Sequence, residues 1–410
     1  MNKKLVAVAV AGVLAAPLAA QAQTANVTLY GRLNIDYELL TGKQADGSNP
    51  NVSRLSSNSS RLGVRGVESL GGGLNAIFQI EQNVSGDTGN SSSSGFASRD
   101  TFVGFQGSWG TFKMGKFLMP YDDLHPIFGN VPTYTTSILS TATLWANGAA
   151  SKFGGGFDAR LGNSLRYDSP VWSGFNFSTQ VSLRDSSGFA DNPAASTAAP
   201  IVFGGDNGNH AQELIHAYVW GIAGYYNNGP IQAGIGYEHN TKVRGPTLDD
   251  DAFSITGAYN FGIVRIAGVY ERLKYDVAAT ATLAGGDIKR DFWGISATAP
   301  IGPGAAYFFY GNAANGKGSA GDGQRIGGVT KGPQTKSQQW EVSYTYPLSK
   351  RTQVYAGYVK LQNDRNAAYS FNINSYTIGT ACNSSGSAAD LACGSNGKPG
   401  GLVLGMIHLF

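Results

Sequence analysis

Apolar and polar positions alternate with a period of two in segment after segment of this chain. From Val27 onward, the stretch VTLYGRLNIDYEL sets Val27, Leu29, Leu33, Ile35 and Tyr37 on one face and polar side chains on the other. The stretches SRLGVRGVE and LNAIFQIEQNV repeat the alternation on either side of the turn SLGGG. Because successive side chains of a β-strand point to opposite faces, each segment is predicted to be a strand with one apolar and one polar face.

The connections between these segments fall into two length classes. Seven are short and rich in Gly, Pro or Asn, near residues 69–73, 107–110, 169–174, 227–230, 260–262, 300–304 and 347–351. Eight are long, near residues 39–59, 85–98, 118–159, 185–211, 240–250, 276–287, 313–335 and 363–400. Fifteen connections join sixteen strands, and both chain ends fall on the side of the short turns.

Short turns at one end, long loops at the other and strands with one apolar face are typical of a transmembrane β-barrel. The sheet must close on itself, because lipid offers no hydrogen-bond partners to an open strand edge. At sixteen strands the interior is too wide to be filled by wall side chains, so an aqueous channel remains. The predicted fold is therefore all-β, a 16-stranded antiparallel transmembrane β-barrel.

One long connection, from Phe117 to Arg160, lacks strand alternation but carries apolar and aromatic side chains such as Leu124, Phe128 and Trp145. Loops longer than about 12 to 15 residues are usually functional or disordered. A high apolar content argues against disorder. By the strand count this segment, the third loop, is the third external connection, and we predict that it folds against another part of the molecule.

Composition and charge narrow the class of protein. Residues 1–22 have the features of a secretory signal peptide, with Lys3, Lys4, an apolar run and an Ala-Gln-Ala cleavage site. Residues 23–410 are then the predicted barrel domain. Without Lys3 and Lys4, 28 of the 30 basic residues remain against 27 acidic residues. This near balance argues against nucleic acid as a partner.

Few residues of the sequence suggest covalent or metal chemistry. Cys382 and Cys393 favour one disulfide in an exported protein, with two free thiols as the alternative. No strand-turn-helix context supports a serine nucleophile. Metal-ligand spacing is lacking among the five histidines, which are His125, His210, His216, His239 and His408. We therefore predict no enzymatic activity, no cofactor and no metal site.

Six stretches occur in order along the chain: VTLYGRLN, SRLGVRGVESLGGGLNAIFQIE, SRDTFVGFQGSWGTFKMGKF, NSLRYDSP, YPLSKRTQVYAGY and the terminal Phe410. With them the chain resembles the general diffusion porins of Gram-negative outer membranes, most closely the beta-proteobacterial type. The resemblance implies a homotrimer of sixteen-stranded barrels, each with an inward-folded third external loop that narrows the pore. It also implies contact with outer-membrane lipid and lipopolysaccharide, recognition of Phe410 by the barrel assembly machinery, and passage of small hydrophilic or anionic solutes.

In such porins, basic residues of the barrel wall face carboxylates on the third loop. The resemblance assigns Arg61, Arg99 and Arg160 to this wall, and places Arg32 and Arg65 at further basic positions. The assignment of Arg99 rests on the resemblance alone. Strand parity independently predicts that five arginines face the lumen, namely Arg32, Arg61, Arg65, Arg160 and Arg166.

The loop side of this predicted constriction has few acids. Asp123, next to Asp122, matches a family carboxylate, and Ile127 stands where the family often has an acid. Between Asp123 and Asp158 the segment has no carboxylate. Because arginine stays charged at any working pH and charges of one sign select the opposite ion, we predict a preference for anions.

Three alternatives remain at this point. The arginines could be ordinary side chains of a solvated lumen. A substrate-specific outer-membrane channel would use aromatic side chains such as Tyr121, Tyr134 and Trp145. A surface-adhesion barrel would have a plugged lumen and would conduct no ions.

Overall fold

The computed structural model describes residues 26–43, 51–89, 96–129, 138–147, 155–183, 217–245, 247–371 and 396–410. The predicted signal peptide, Tyr134, both cysteines, His210 and His216 lie outside these ranges. Within them, no helix is both long and apolar enough to cross a membrane.

Sixteen strands form one antiparallel sheet, in which the second strand has two segments. Their bounds are β1 Asn26–Lys43, β2 Asn51–Ser57 with Arg61–Gly71, β3 Leu74–Asn83, β4 Thr101–Gly107, β5 Gly110–Leu118, β6 Arg160–Asp168, β7 Phe175–Ser182, β8 Tyr218–Asn228, β9 Ile231–Thr241, β10 Asp250–Asn260, β11 Arg265–Val277, β12 Gly286–Ile301, β13 Gly304–Ala313, β14 Ser337–Pro347, β15 Thr352–Asn363 and β16 Lys398–Leu409. A separate two-stranded ladder pairs Arg325–Ile326 with Val329–Thr330.

The sheet closes through its first and last strands. β1 pairs with β16 in a register that runs from Arg32 opposite Leu409 to Lys43 opposite Lys398. The terminal Phe410 then exchanges two backbone hydrogen bonds with Gly31, at 3.0 and 3.1 Å. A Cβ atom at Gly31 would collide with the Phe410 ring, so glycine is required where the chain end packs. Each strand therefore has a hydrogen-bonded neighbour on both sides, and the predicted closed barrel of sixteen strands is confirmed.

The interruption in β2 is bridged by side chains. Asn51–Ser57 pairs with residues 35–41 of β1, and Arg61–Gly71 pairs with residues 26–32. Between the two segments, the Ser60 hydroxyl accepts a hydrogen bond from the Asn34 N–H at 2.9 Å and donates one to the Asn34 carbonyl oxygen at 3.1 Å. The two halves of β2 therefore count as one barrel strand.

Connections at one end of the barrel are short, as predicted. The turn after β2 contains Gly71, Gly72 and Gly73, whose φ angles are +88°, +61° and +80°. Residues with a Cβ rarely adopt such angles, which explains the run of glycines. The strands extend further into the opposite end than predicted, since β1 and β2 include residues 39–43 and 51–57 of the predicted first loop.

The two faces of the sheet differ in polarity. Large apolar side chains such as Leu29 and Leu404 are 63% exposed on the outside, as expected for a lipid-facing surface. The alternate positions of β1 face the interior, where Asn34, Asp36 and Glu38 are buried. Period-two alternation thus separates an apolar exterior from a largely polar interior.

Candidate functional site

The third loop contains several short helical turns. These are Asp122–Leu124, His125–Phe128, Thr141–Thr143 and Trp145–Asn147. In the described parts of the loop, Tyr121, Leu124, Phe128, Leu144 and Trp145 are fully buried. The prediction of a loop that packs against another part of the molecule is supported by this burial.

The apolar side chains of the third loop pack on strands β11 to β13. Four strand residues belong to the same buried cluster as the loop residues, and they alternate along their strands with outward-facing residues. We call the surface that they form the covered wall; its members are Val269, Leu273, Phe292 and Phe309. The ring of Phe128 meets that of Phe309 edge to face, with 5.5 Å between centroids. Such aromatic pairs contribute about 0.5 to 1.5 kcal/mol beyond the area they bury.

A buried ion pair on the covered wall holds the third loop. Glu271 and Arg290 are joined at 2.6 Å, and both side chains have 0% exposure. The Tyr121 hydroxyl donates to Glu271 Oε2 at 2.6 Å, and the Ala146 N–H donates to the same oxygen at 2.7 Å. Arg290 in turn donates to the carbonyl oxygen of Leu144. Two limbs of the loop therefore converge on one pair of wall charges.

Further hydrogen bonds join the loop backbone to other strands. The carbonyl oxygen of Phe128 accepts a bond from the Ser296 hydroxyl at 2.7 Å, and that of Ile127 accepts one from Arg265 at 2.5 Å. The Ser140 carbonyl oxygen accepts one from Gln339 at 3.1 Å. Because buried backbone groups require partners, these bonds allow an irregular segment to lie against the wall.

Close approach of loop and wall depends on interior glycines. A Cβ atom at Gly294 would lie 2.8 Å from the Phe128 ring, and one at Gly236 would lie 2.9 Å from Leu124. Real Cβ atoms essentially never come so close to another atom. The absence of side chains at these positions creates the space that the loop fills.

The predicted basic residues lie mostly on another sector, from β2 to β6. We call this the arginine wall and define it by Arg61, Arg65, Arg99, Arg160 and Arg166. Arg99 and Arg61 share the carboxylate of Glu81, at 2.5 and 3.6 Å. The Tyr30 hydroxyl donates to Glu81 at 2.9 Å, and the Arg65 guanidinium lies 5.1 Å from the centre of the Tyr30 ring.

A second group of charges continues along this wall. Arg160 pairs with Asp100 at 2.6 Å. Arg166 forms ion pairs with Asp123 of the third loop and, at 2.8 Å, with Asp168. Lys113 also contacts Asp168, at 2.7 Å. The loop thus reaches the arginine wall through Asp123.

Arg32 lies at the edge of this group, directly opposite Arg61 in the register of β1 and β2. Arg32 is 8% exposed, and its charge acts on Tyr355 of β15. Tyr355 donates hydrogen bonds to Asn34 at 2.8 Å and to Asp36 at 3.1 Å. Arg32 therefore adjoins both Arg61 and a polar cluster on β1 and β15.

Within the described residues, Asp122 forms no ion pair with an arginine. Its carboxylate lies 3.2 Å from Nδ1 of His125, and a carboxylate oxygen of Asp158 lies within 4.8 Å of a ligand atom of each. Burial and the neighbouring Asp158 raise the pKa of Asp122 well above its usual value. Burial also lowers the pKa of His125. Spacing along the chain gave no sign of this group, because Asp158 returns from the far limb of the loop.

The balance of charge differs from the prediction in one respect. Counting only loop acids left a large excess of arginine, but the wall contributes Glu81, Asp100 and Asp168 itself. Alternation in LNAIFQIEQNV already put Glu81 on a polar face. Which arginines reach it depends on strand register, which the sequence does not give. The arginines therefore form ion-pair networks, and their excess positive charge is small.

Comparisons with known proteins agree with this architecture. The family described as Gram-negative porin matches residues 7–366. Outer membrane porin protein 32 of Delftia acidovorans is 28% identical over 372 residues, which cover 88% of this chain and 90% of that protein. An outer membrane porin protein of Bordetella pertussis is 29% identical over 401 residues, which cover 87% of this chain and 93% of that protein.

A solved structure, the anion-selective porin from Comamonas acidovorans, is similar with a TM-score of 0.68 and 24% identity. The similarity covers 94% of this chain and 100% of that chain. At this identity it supports the barrel fold alone. Because the family match spans most of the chain, the chain belongs to the Gram-negative porin family and is an outer-membrane channel for passive diffusion of small solutes, not an enzyme.

Proposed function

We propose that the third loop narrows the channel and that solutes pass between it and the arginine wall. The support is its attachment on two sides, to Glu271 and Arg290 of the covered wall and to Arg166 through Asp123. Held in this way, the loop leaves the arginine wall as the wetter side of the passage. Its ion pairs are partly open to water, with Arg61 29% and Asp123 36% exposed.

The channel has a weak preference for anions. The observation that carries this proposal is Arg65, which is exposed and has no carboxylate within ion-pair distance among the described residues. Arg61 lies four positions before it on the same face and only approaches Glu81 at 3.6 Å. The other wall arginines are closely matched by acids, so the preference is weaker than a count of arginines suggests. The similar structure from Comamonas acidovorans is that of an anion-selective porin, which points the same way.

Reversal potentials in a salt gradient across planar bilayers test this proposal. We expect anion permeability modestly above cation permeability in the wild type and a ratio near one in Arg61→Ala with Arg65→Ala. Arg272→Ala is the matched control, because Arg272 shares the outer face of β11 with Ile266 and is 57% exposed. A clear cation preference of the wild type would contradict the proposal, as would equal shifts in both variants.

We also propose that three copies assemble through the sector formed by β16, β1 and β2. Its outer surface exposes aliphatic side chains. Four of them are 53% to 63% exposed, namely Leu29, Leu55, Leu402 and Leu404. The opposite side carries tryptophans suited to a lipid interface, such as Trp220 and Trp293. Lipopolysaccharide and outer-membrane lipid then cover that opposite side, and the barrel assembly machinery recognises Phe410. A trifunctional maleimide on a cysteine introduced at Leu55 should yield covalent trimers, whereas the same reagent on a cysteine at Ile295 should not.

A further inference from the structure

Three side chains of the third loop form a cluster that ion conduction does not use. One potential ligand atom from each of Asp122, His125 and Asp158 lies within 4.8 Å of the others. We propose that these residues bind a divalent transition-metal cation of the zinc type. The cation would join the descending limb of the loop, which carries Asp122 and His125, to the returning limb, which carries Asp158.

Distances within the cluster suit a small cation. Ligand atoms at about 2.0 to 2.2 Å from a tetrahedral zinc ion lie about 3.3 to 3.6 Å from one another. His125 Nδ1 and Asp122 Oδ1 are already 3.2 Å apart. A carboxylate oxygen of Asp158 lies within 4.8 Å of the ligand atoms of the other two residues, so a small shift brings it into coordination range. Three protein ligands leave a fourth position for water.

The buried imidazole turns one ring nitrogen, Nδ1, towards the cluster. His125 is 2% exposed, and its Nε2 atom has no hydrogen-bond partner among the described residues. Its Nδ1 atom is directed at the carboxylates, and the Trp145 ring holds the imidazole plane with 4.0 Å between centroids. A metal-binding histidine needs this fixed orientation.

The surrounding charges leave room for a cation. Two neighbouring carboxylates repel each other unless they share a proton or bind a positive ion. The charge of Arg160 acts on Asp122, but its Nε atom is paired with Asp100 at 2.6 Å. A nitrogen ligand beside two carboxylates favours zinc over calcium or magnesium, which prefer oxygen ligands alone.

Titration calorimetry with zinc chloride on the untagged, detergent-solubilised full chain tests the site. We expect one saturable site per chain in the wild type and affinity at least about tenfold weaker in Asp158→Asn, since one of three ligands is lost. His239→Asn is the matched control, because His239 also lies near a carboxylate, Asp251 at 2.7 Å, on another part of the barrel. Its affinity should equal that of the wild type, and calcium chloride should not compete.

Cobalt absorption provides an independent readout of nitrogen ligation. A cobalt ion in the same site should give intense visible bands that disappear in His125→Asn and persist in His239→Asn. Circular dichroism identifies any variant that fails to fold. If His125→Asn does not fold, Asp158→Asn alone tests the site, because Asp158 is partly exposed and its substitution disturbs packing less. The proposal is overturned if zinc does not saturate at one per chain, or if Asp158→Asn binds zinc as tightly as the wild type.

An effect of zinc on conductance rests on the proposed constriction, whereas zinc binding does not. We expect bound zinc to reduce spontaneous fluctuations of the single-channel current, because it joins the two limbs of the loop. If zinc binds but leaves the current unchanged, the metal site stands and the role of the loop in narrowing the channel fails. If loop variants alter the current but no zinc binds, the loop narrows the channel and the proposed metal site is wrong.

Discussion

Arginine and glutamate pair on two sides of this barrel with opposite consequences. On the arginine wall, Arg61 lies 3.6 Å from Glu81 and keeps 29% of its side chain exposed. On the covered wall, Arg290 lies 2.6 Å from Glu271 and both are fully buried. Exposed pairs contribute about 0 to 1 kcal/mol because water screens them, whereas removal of one partner from a buried pair is costly. The first pair is suited to influence passing ions, and the second to hold the third loop.

The neighbours of each pair differ in the same sense. Around Glu271 and Arg290, the interior positions of β11 to β13 are occupied by apolar side chains such as Leu273, Phe292 and Phe309. Around Glu81 the neighbours are polar, namely Tyr30, Arg99 and Arg61, and the Arg61 side chain keeps 29% exposure. A porin wall is polar where it meets water, and it becomes apolar where a loop covers it. Substitutions on the two sides should therefore separate stability from selectivity.

Arg290→Ala is expected to have the largest effect. It leaves Glu271 charged and buried without its partner, which costs about 3 to 5 kcal/mol in comparable cases. We expect a lower free energy of unfolding in detergent and a larger, less steady single-channel conductance. Arg61→Ala on the arginine wall is the matched control and should change stability by less than about 1 kcal/mol. Equal stability losses in the two variants would remove the distinction between the walls.

Gly294→Val should have the next largest effect. Its Cβ atom would lie 2.8 Å from the Phe128 ring, and overpacking of this kind costs about 1 to 3 kcal/mol. Gly268→Val, on the neighbouring strand, is the matched control, because a Cβ atom at Gly268 would lie 3.8 Å from its nearest neighbour, a backbone oxygen. Chemical denaturation of both variants checks the prediction. A stable Gly294→Val protein with wild-type conductance would show that the loop does not need this contact.

Much of the barrel could be predicted from alternation alone, because its strands repeat one period. The exterior of β1, with Leu29 and Leu33, and the interior positions of Arg61 and Arg166 follow from strand parity. Parity could not identify Glu271 as an anchor. It lies on the same face as Val269 and Leu273, so the sequence of β11 does not show a polar interior.

The contacts of the constriction were harder to predict for a related reason. The pairing of Arg99 with Glu81 depends on the path of the chain before β4, and that of Asp122 with Asp158 depends on where two loop limbs meet. Strand periodicity contains no information on either. The resemblance to known porins assigned Arg99 to the group with Arg61, and the two arginines do share Glu81.

Tyr121→Phe isolates one contact on the covered wall. It removes the hydroxyl that donates to Glu271 at 2.6 Å and keeps the ring. Glu271 retains Arg290 and the Ala146 N–H as partners, so we expect a loss of about 1 kcal/mol. Tyr30→Phe on the arginine wall removes an analogous hydrogen bond to Glu81 and is the control. Denaturation curves should show a larger shift for Tyr121→Phe, and a larger shift for Tyr30→Phe would contradict the comparison.

Glu81→Gln should act mainly on selectivity, because glutamine keeps the size of the side chain and an oxygen acceptor for Arg99 and Tyr30. Arg61 and Arg99 would lose the carboxylate that they share, while their side chains would still contact water. The local excess of positive charge then rises by one, so the reversal potential should shift towards stronger anion preference, most clearly at low ionic strength where screening is weakest. Glu271→Gln, which removes the same charge behind the third loop, should leave selectivity nearly unchanged in any molecules that remain folded. If both variants shift the reversal potential equally, ions sense the covered wall as strongly as the arginine wall, and the third loop does not separate them.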